Sequence, residues 1–371
     1  MSYLFWACAA LLAYTQIGYG LLLWLLAPGA ERSASACEGG TGAAASLIVA
    51  AHDEEPVIAA KVRNAQALRP APEVIVCCDG CTDGTAAAAR AAGADLVLEL
   101  PRGGKVRAQD AGVRAASGEL LLFSDANSSW EPDALGALAD AFASDPHVGY
   151  ACGQVRFVQP DGGDNQEGLY WRYETRLREW ESRLGSITAG NGAIYATRRA
   201  SYLEVDPIMG HDLAFPFNMV KRGWRAIYVP GARATERMVP TLGGEFTRKR
   251  RMMSHTWPIV LRGGMLVPRG YGPRYAWMLL SHRILRYLSP LLHVLALVSN
   301  VLLLDEGTLY SVLLAGQLAV LAAAALAGAA PARALLLARY YVLTTASVAL
   351  GLWDWLRHGT SPGWEAAEGT R

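Results

Sequence analysis

The chain has 371 residues, of which 52% are hydrophobic and 18% are charged, and its formal net charge is +1. This length allows two or three structural units. The near-neutral charge, without a long run of one sign, argues against a general affinity for nucleic acid, so we expect no nucleic acid polymer as a partner.

The first predicted element is a membrane anchor within residues 1–30. Residues 3–26 carry no charge and exceed the roughly 20 residues that cross a bilayer. Tyr3, Trp6 and Trp24 lie near the ends of this run, where interfacial aromatics are common. A cleaved signal peptide is the alternative, but no basic leader precedes the run and the run is too long. Residues 31–45 are small and polar and are predicted to form a linker.

Residues 46–268 are predicted to form a cytosolic α/β domain. The short apolar runs SLIVAA, VIVCC, DLVLEL and ELLLFS are typical of buried parallel strands, and helical patterns lie between them. This alternation predicts a mostly parallel sheet with right-handed crossovers, whose ligands gather at the carboxyl ends of its strands. The six cysteines lack a disulfide framework, and Cys78 and Cys81 are predicted to be reduced thiols, with a metal or redox role as the alternative.

The remaining chain is predicted to return to the membrane. Residues 269–286 mix Arg283 and Arg286 with apolar residues and predict an interfacial amphipathic helix. Residues 287–356 predict transmembrane helices at about 287–304, 308–330 and 334–356, followed by a tail, 357–371. A buried soluble helix pair is the alternative, but three such runs in succession favour a membrane. We expect a multi-pass protein of the cytoplasmic (inner) membrane, and the positive-inside rule predicts that its α/β domain faces the cytosol.

Acids and amides recur where three successive predicted strands end. SLIVAAHDEE runs from the strand into His52, Asp53, Glu54 and Glu55. VIVCCDGCTDGT contains Asp79 and Asp83, and LLLFSDAN ends on Asp125 and Asn127. Each group could simply cap the helix that follows. Because the ends of parallel strands meet at one edge of a sheet, their recurrence favours a ligand site.

The order AAHDEE, CCDGCTDGT, GGKVRAQDAG and FSDANSSWEPDAL resembles family-2 glycosyltransferases, which have a GT-A nucleotide-sugar-binding fold. The layout resembles membrane-embedded polysaccharide synthases of the cellulose, chitin and hyaluronan synthase type. By motif the likeness covers about residues 46–255. It implies that Asp53 and Glu54 lie where nucleobase and ribose contacts begin, that Asp79 contacts the uracil side of the donor, and that Lys105 approaches the donor diphosphate.

The resemblance also implies a metal site. Asp125 matches the first acid of the family's DxD motif, and Asn127 takes the place of the second. A diphosphate leaving group concentrates negative charge, which Mg²⁺ or Mn²⁺ held by oxygen ligands neutralises. Asn127 can ligate through its carbonyl oxygen but supplies no charge.

On the acceptor side, the resemblance implies roles for two segments. Gly190, Asn191 and Gly192, in TAGNGAIYATRR, match a segment beneath the acceptor sugar, with a turn before a strand as the alternative. Asp212, in PIMGHDLAF, matches the carboxylate that deprotonates the acceptor hydroxyl, and an N-cap is its alternative. His211 replaces an acidic neighbour, and its protonation would lower the pKa of Asp212.

The basic run in EFTRKRRMMSHTW resembles the family's QxxRW-type motif. Arg248 fits its first place, on the acceptor side, and Arg251 fits its arginine, whose guanidinium can fork onto diphosphate oxygens. Met252 stands where tryptophan is expected. Cytoplasmic charge flanking a membrane segment is the alternative.

These features predict an inverting, metal-assisted glycosyltransferase. By resemblance the donor is UDP-glucose or UDP-N-acetylglucosamine, and the acceptor is a polysaccharide or a lipid-linked saccharide in contact with the lipid bilayer. One alternative is a catalytically inactive glycosyltransferase-like subunit that binds donors or partners, which Asn127, His211 and Met252 favour. Another is a nucleotidyltransferase, which would need a glycine-rich basic loop where AAHDEE is acidic.

Overall fold

The computed structural model describes residues 1–27, 44–158, 167–237, 242–328 and 332–360. Nearly all of the predicted linker at 31–45 and most of the predicted tail at 357–371 lie outside these ranges.

The soluble part is an α/β domain. Its strands, in chain order, are β1 Ala45–Ala51, β2 Glu73–Asp79, β3 Leu96–Leu100, β4 Leu120–Asp125, β5 Ser129–Trp130, β6 Val148–Val158, β7 Tyr195–Arg198 and β8 Arg225–Arg237. The helices of the chain are α1 Ser2–Leu26, α2 Glu55–Gln66, α3 Thr85–Ala91, α4 Lys105–Ala115, α5 Ala134–Ser144, α6 Glu167–Leu184, α7 His211–Lys221, α8 Leu242–Leu261, α9 Pro273–Val301, α10 Thr308–Leu326 and α11 Arg333–His358.

These strands form one eight-stranded sheet within the described ranges, in the order β3-β2-β1-β4-β7-β6-β8-β5. The four strands that the sequence predicts, β1 to β4, pair in parallel. Beyond β4 the sheet is mixed, because β7 runs antiparallel to both β4 and β6, while β6 and β8 are parallel. The predicted parallel sheet is therefore confirmed for one half, and the whole sheet is mixed.

The side chains of β1 point alternately to the two faces of the sheet, and both faces are covered. Leu47 and Val49 belong to one buried cluster, whereas Ile48 and Ala50 belong to a second cluster on the opposite face. Successive side chains of a strand point to opposite faces, so an apolar residue at every position requires a covering layer on each side. Helices supply these layers, and polar residues are left for the strand ends.

Among the described residues, four helices are long and apolar enough to cross a membrane: α1, α9, α10 and α11. The structure differs from the predicted boundary at 286, because 273–301 form one continuous helical segment rather than an interfacial helix followed by a span. Tyr275 and Met278 are buried in the domain, and the Tyr275 hydroxyl donates to the carbonyl of Ile187 over 3.2 Å.

A buried polar cluster joins two of these helices, α1 and α9, to α6. The Glu181 carboxylate of α6 accepts hydrogen bonds from the Tyr19 hydroxyl of α1 at 2.7 Å and from the Thr188 amide at 3.0 Å. It also pairs with His282 Nδ1 of α9 at 2.6 Å. Arg286 of α9 pairs with Glu174, about two turns before Glu181 on the same face of α6. This cluster attaches α1 and α9 to the segment that leads directly into Gly190.

Candidate active site

The centre of the site is an ion pair between Lys105 and Asp125. Asp125 is the last residue of β4 and Lys105 is the first residue of α4, so a strand end and a helix start bring the two charges together. Their side chains are 28% and 27% exposed. Burial disfavours the lysine's charge, but the Asp125 carboxylate outweighs it and raises the pKa of Lys105. A permanent cation beside a partly open carboxylate suits a diphosphate with its counter-ion.

The glycines of the loop 190–192 lie against this pair. A Cβ atom on Gly192 would lie 3.3 Å from Lys105 Nζ and 3.6 Å from Asp125 Oδ2, so the backbone here faces the ion pair directly. A Cβ atom on Gly190 would lie 2.0 Å from the Tyr150 hydroxyl, which leaves no room for a side chain. The Asn191 side chain instead holds the loop: its Nδ2 donates to the Gly153 carbonyl at 2.8 Å and its Oδ1 accepts the Ile194 amide at 2.9 Å.

Asp212 lies in the first turn of α7, and its main-chain carbonyl accepts a hydrogen bond from the Gly190 amide at 2.7 Å. The N-cap of this helix is Gly210, and the cap has no side-chain hydrogen bond, so the alternative that Asp212 is the N-cap does not apply. The carboxylate of Asp212 lines a cavity together with Asp125.

His211 lines the cavity but is almost fully buried, and its ring packs against the protein interior. It is 4% exposed, stacks on Phe215 and shares a 2.8 Å hydrogen bond between its Nδ1 and the Tyr195 hydroxyl. Burial, with a further contribution from the positive charge of Lys105, lowers the pKa of His211 to about 3. His211 is therefore neutral near pH 7 and does not supply the positive charge that its protonation would have placed beside Asp212.

The cavity has a volume of about 1410 Å³ and connects these groups. Lys105, Asp125, Gly192 and Asp212 lie along it, and it extends to residues of α1, α9 and α11, the helices long enough to cross a membrane. The two carboxylates at 125 and 212 therefore face one space. A sugar bound between them would have the pair Lys105–Asp125 on one side and Asp212 on the other.

The predicted base-binding residues lie at the neighbouring strand ends. Asp53 has a φ of 51°, in the left-handed region that is rare for residues other than glycine, and its Oδ1 accepts the Thr82 amide at 2.7 Å. Glu54 is 3% exposed, beneath this edge. The Asp79 carboxylate accepts the amides of Gly103 and Gly104 at 2.6 and 3.0 Å, so what it visibly does is hold the turn that precedes Lys105.

The basic run on α8 divides between two surfaces. Arg248 and Arg251 line the cavity, and Arg248 forks onto Glu245 at 2.7 and 2.8 Å. Arg250 instead pairs with Asp354 of α11 at 2.6 Å. Met252, at the place of the expected tryptophan, is 44% exposed and also lines the cavity. The run therefore both lines the cavity and joins the domain to the apolar helix α11.

Two ionisable groups of the site were missed by the sequence reasoning. Glu236, near the end of β8, lines the cavity; burial and the Asp125 carboxylate raise its pKa to about 7, and its Oε1 has no hydrogen-bond partner. Lys61 is 2% exposed and donates to the Ser128 carbonyl at 2.9 Å, and burial lowers its pKa to about 7. The position of Lys61 could have been found from the sequence, because it lies on the same helix face as the apolar residues Ile58 and Val62. No comparable pattern marks Glu236.

Comparison with known proteins identifies the family. The family described as "Glycosyltransferase like family 2" matches residues 43–254, more than half of the chain. The chain belongs to this family. It is a family-2 glycosyltransferase, as the ordered strand-end motifs predicted.

Two curated relatives carry related names. An N-acetylglucosaminyltransferase of Rhizobium sp. (strain N33) is 26% identical over 191 residues, which are 47% of this chain and 42% of that protein. A poly-beta-1,6-N-acetyl-D-glucosamine synthase of Staphylococcus aureus is 22% identical over 236 residues, 58% of this chain and 55% of that protein. The chain thus spans about half the length of the curated relatives it matches.

A solved structure shares the fold of this chain over almost the whole length of both proteins. The mannosyltransferase PcManGT from Pyrobaculum calidifontis, solved with GDP-Man and Mn²⁺, is 23% identical. The match covers 95% of this chain and 99% of that chain, with a TM-score of 0.67. At this identity the likeness shows the fold, and the predicted GT-A-type domain flanked by apolar helices is confirmed.

Proposed function

We propose that this glycosyltransferase transfers a sugar from a nucleotide-sugar donor to a hydroxyl of a polysaccharide or lipid-linked acceptor at a membrane. The observation that carries the proposal is the single cavity that joins the Lys105–Asp125 pair to Asp212 and continues to helices long enough to span a bilayer. UDP-glucose and UDP-N-acetylglucosamine remain the first donors to test, supported by the N-acetylglucosaminyl names of the relatives. GDP-mannose joins them because of the structural neighbour's ligand.

The proposed donor site uses Lys105 and Arg251 for the diphosphate and Asp53, Glu54 and Asp79 toward the nucleoside. Lys105 offers a fixed cation, and a guanidinium at 251 suits paired phosphoryl oxygens. Asp79 contributes by holding the Gly103–Gly104 turn before Lys105.

The residues of the site fit a divalent cation. Asp125 is partly exposed at a strand end, and the backbone at Gly192 leaves space beside its Oδ2. A carboxylate oxygen with the amide oxygen of Asn127 suits the hard cations Mg²⁺ and Mn²⁺, and the structural neighbour was solved with Mn²⁺. When bound, the cation would neutralise charge on the leaving diphosphate.

The proposed step is a single displacement. Asp212 accepts the proton of the acceptor hydroxyl, whose oxygen forms a bond to the anomeric carbon. The bond from that carbon to the diphosphate oxygen breaks, the nucleoside diphosphate takes the electron pair, and the anomeric configuration inverts. The Gly190–Gly192 loop and Arg248 would hold the acceptor, because the loop lies between Lys105–Asp125 and the first turn of α7.

The proposed location is the cytoplasmic membrane, with the catalytic domain in the cytosol and α1, α9, α10 and α11 crossing the bilayer. The four apolar helices and the basic run on α8, on the domain side of the bilayer, support this arrangement. Protease treatment of inside-out membrane vesicles should cleave the domain, and sealed right-side-out cells should protect it. The reverse pattern would place the domain outside.

Activity measured on the purified full chain tests the proposed function. The three labelled nucleotide sugars are incubated with Mn²⁺ or Mg²⁺, and released nucleoside diphosphate and labelled product are measured. We expect Asp125→Ala to abolish both, and Asp212→Asn to bind donor normally while transfer stops, because charge is removed without shape. Glu204→Gln, at an exposed surface pair, is the control. Normal turnover by Asp212→Asn would contradict the assignment, and products with one added sugar would exclude chain extension.

A further inference from the structure

The cavity continues past the donor site into a strongly cationic region. Nine lysine and arginine side chains line the cavity as a whole, against four aspartates and glutamates. Two of those acids are Asp125, which pairs with Lys105, and Glu174, which pairs with Arg286. Arg176, Arg248 and Lys249 also have carboxylate partners, at Glu179 and Glu245, so the uncompensated charge has to be sought among the other lining cations.

Arg178 is the least compensated of these cations. It lies on α6, is 7% exposed and lines the cavity. Its Nε has no hydrogen-bond partner, and within the described ranges no hydrogen bond or ion pair to its guanidinium occurs. Its neighbours on the same helix face do not neutralise it, because Glu174 pairs with Arg286 and Glu181 pairs with His282.

Arg283 is a second buried guanidinium with unused capacity. It lies on α9 and is 8% exposed, and its Nε donates to the Thr188 hydroxyl at 3.0 Å. Its Nη2 has no hydrogen-bond partner, and no ion pair to a carboxylate forms within the described part of the chain. Thr188 is two residues before Gly190, so Arg283 reaches the base of the loop that lies beside Asp212.

A buried charge without a partner is costly, and proteins keep such groups mainly where a ligand supplies the opposite charge. Guanidinium groups match the oxygens of phosphate and carboxylate, which they bind through paired hydrogen bonds. A neutral sugar polymer would supply no oxyanion to the Arg178 guanidinium or to Nη2 of Arg283, although Glu174 and Glu181 balance part of the Arg283 charge. The donor diphosphate already has Lys105 at the other side of the loop.

We propose that the acceptor is anionic, and that Arg178 and Arg283 bind its phosphate or carboxylate group so that the acceptor hydroxyl meets Asp212. This inference rests on the proposed function and adds the chemical class of the acceptor. Two sources can provide the oxyanion: the phosphate of a lipid carrier, which the cavity's lining by α1 and α11 would admit, or the carboxylate of an acidic sugar.

The test is thermal unfolding of the full chain in detergent with bound UDP and three probes. The probes are a polyprenyl phosphate, a glucuronate-containing oligosaccharide and a neutral N-acetylglucosamine oligosaccharide. We expect one of the two anionic probes to raise the melting temperature of the wild type, and the neutral probe to have little effect. Whichever anionic probe acts identifies the source of the charge.

In Arg178→Gln and Arg283→Gln we expect the affinity for that anionic probe to fall about tenfold or more, with Arg178→Lys intermediate. The control is Arg114→Gln, because Arg114 forms an exposed ion pair with Glu204 outside the cavity. Without a probe, Arg178→Gln should be at least as stable as the wild type, because an uncompensated buried charge is removed; a purely structural arginine would lose stability instead.

The proposal fails if neither anionic probe binds, if the neutral probe binds as well as the anionic ones, or if Arg178→Gln binds like the wild type. Hydrolysis of the donor in the absence of any acceptor separates this failure from failure of the proposed function. Arg178→Gln should retain that hydrolysis with an unchanged KM for the donor. A raised donor KM would mean that Arg178 serves the donor. Failure of the wild type to turn over any of the three nucleotide sugars, with or without an acceptor, would reject the proposed function itself.

Discussion

Gly190 and Asp212 are joined by a hydrogen bond, in which the Gly190 amide donates to the main-chain carbonyl of Asp212 over 2.7 Å. The loop at 190–192 and the first turn of α7 therefore form one unit. Because Gly192 also lies against Lys105 and Asp125, this unit sets the spacing between the Lys105–Asp125 pair and Asp212. Rigid placement of reacting groups is a large part of what an enzyme contributes to rate.

The ion pair of Lys105 predicts a defect in donor binding. In Lys105→Met we expect the KM for the nucleotide sugar to rise about tenfold or more, since a charge-assisted contact to the diphosphate is lost. Initial rates at varied donor concentration measure this. Lys249→Met, on α8 against Tyr340, is a control for loss of a cationic cavity residue. An unchanged donor KM in Lys105→Met would show that the lysine serves only to pair with Asp125.

The amide at position 127 predicts a tunable metal dependence. Asn127→Asp adds a second carboxylate, and cation affinity rises with the number of charged oxygen ligands. We expect the Mn²⁺ concentration for half-maximal activity to fall about tenfold, while Asn127→Ala should raise it. Activity titrated with Mn²⁺ after chelation measures both. Equal metal curves for Asn127→Asp and Asn127→Ala would remove this residue from the metal site.

The buried imidazole of His211 predicts a specific loss of stability in acid. Its pKa is lowered from the model-peptide value of 6.5 to about 3, so the unfolded chain binds a proton below pH 6.5 that the folded chain rejects. Stability contributed by the neutral form is thus present above pH 6.5 and is lost as the pH falls toward 3. Relative to His211→Gln, the wild type should lose about 2 kcal/mol between pH 8 and pH 5.

Thermal unfolding of the wild type and of His211→Gln across that pH range measures the difference between their stabilities. The contributions of the other titrating groups are common to both proteins and cancel. The same pair should have the same acidic limb in a pH–rate profile, because His211 stays neutral throughout. A shifted limb in His211→Gln would mean that the imidazole is protonated in the working enzyme.

The buried cluster around Glu181 predicts that the stability of the domain depends on its contacts with the apolar helices α1 and α9. Glu181→Ala removes the partner of His282 and Tyr19 and should cost about 3 kcal/mol, as loss of one partner of a buried pair does. Glu204→Ala breaks an exposed pair with Arg114 and should change stability by less than about 0.5 kcal/mol. Thermal unfolding in detergent compares them. Equal effects would mean that the cluster is dispensable.

The sequence was sufficient for the parts of this protein that local patterns encode. Four continuous apolar runs became the parallel strands β1 to β4, because strands covered on both faces need apolar residues at every position. Asp125 lines the cavity because β4 ends at this residue, beyond the part of the strand that is covered on both faces. The family followed from the order of these strand ends.

Contacts between residues that are far apart in the sequence could not be predicted from local patterns. Nothing in the local sequence of α9 shows that Arg286 and His282 meet Glu174 and Glu181 of α6, so 269–286 was predicted as an interfacial helix instead. The protonation of His211 likewise depends on burial under Phe215, a turn further along α7.

The sequence by itself determined the alternation of strands and helices, the lengths of the apolar helices and the positions of acids at strand ends, since all three follow from neighbours along the chain. Only the tertiary structure decided which charges have partners. The residues around Arg178 and Glu236 in the sequence give no sign of an unusual environment. In the fold, distant segments exclude water around both side chains, so that Arg178 is a buried cation and Glu236 is a carboxyl group with a raised pKa.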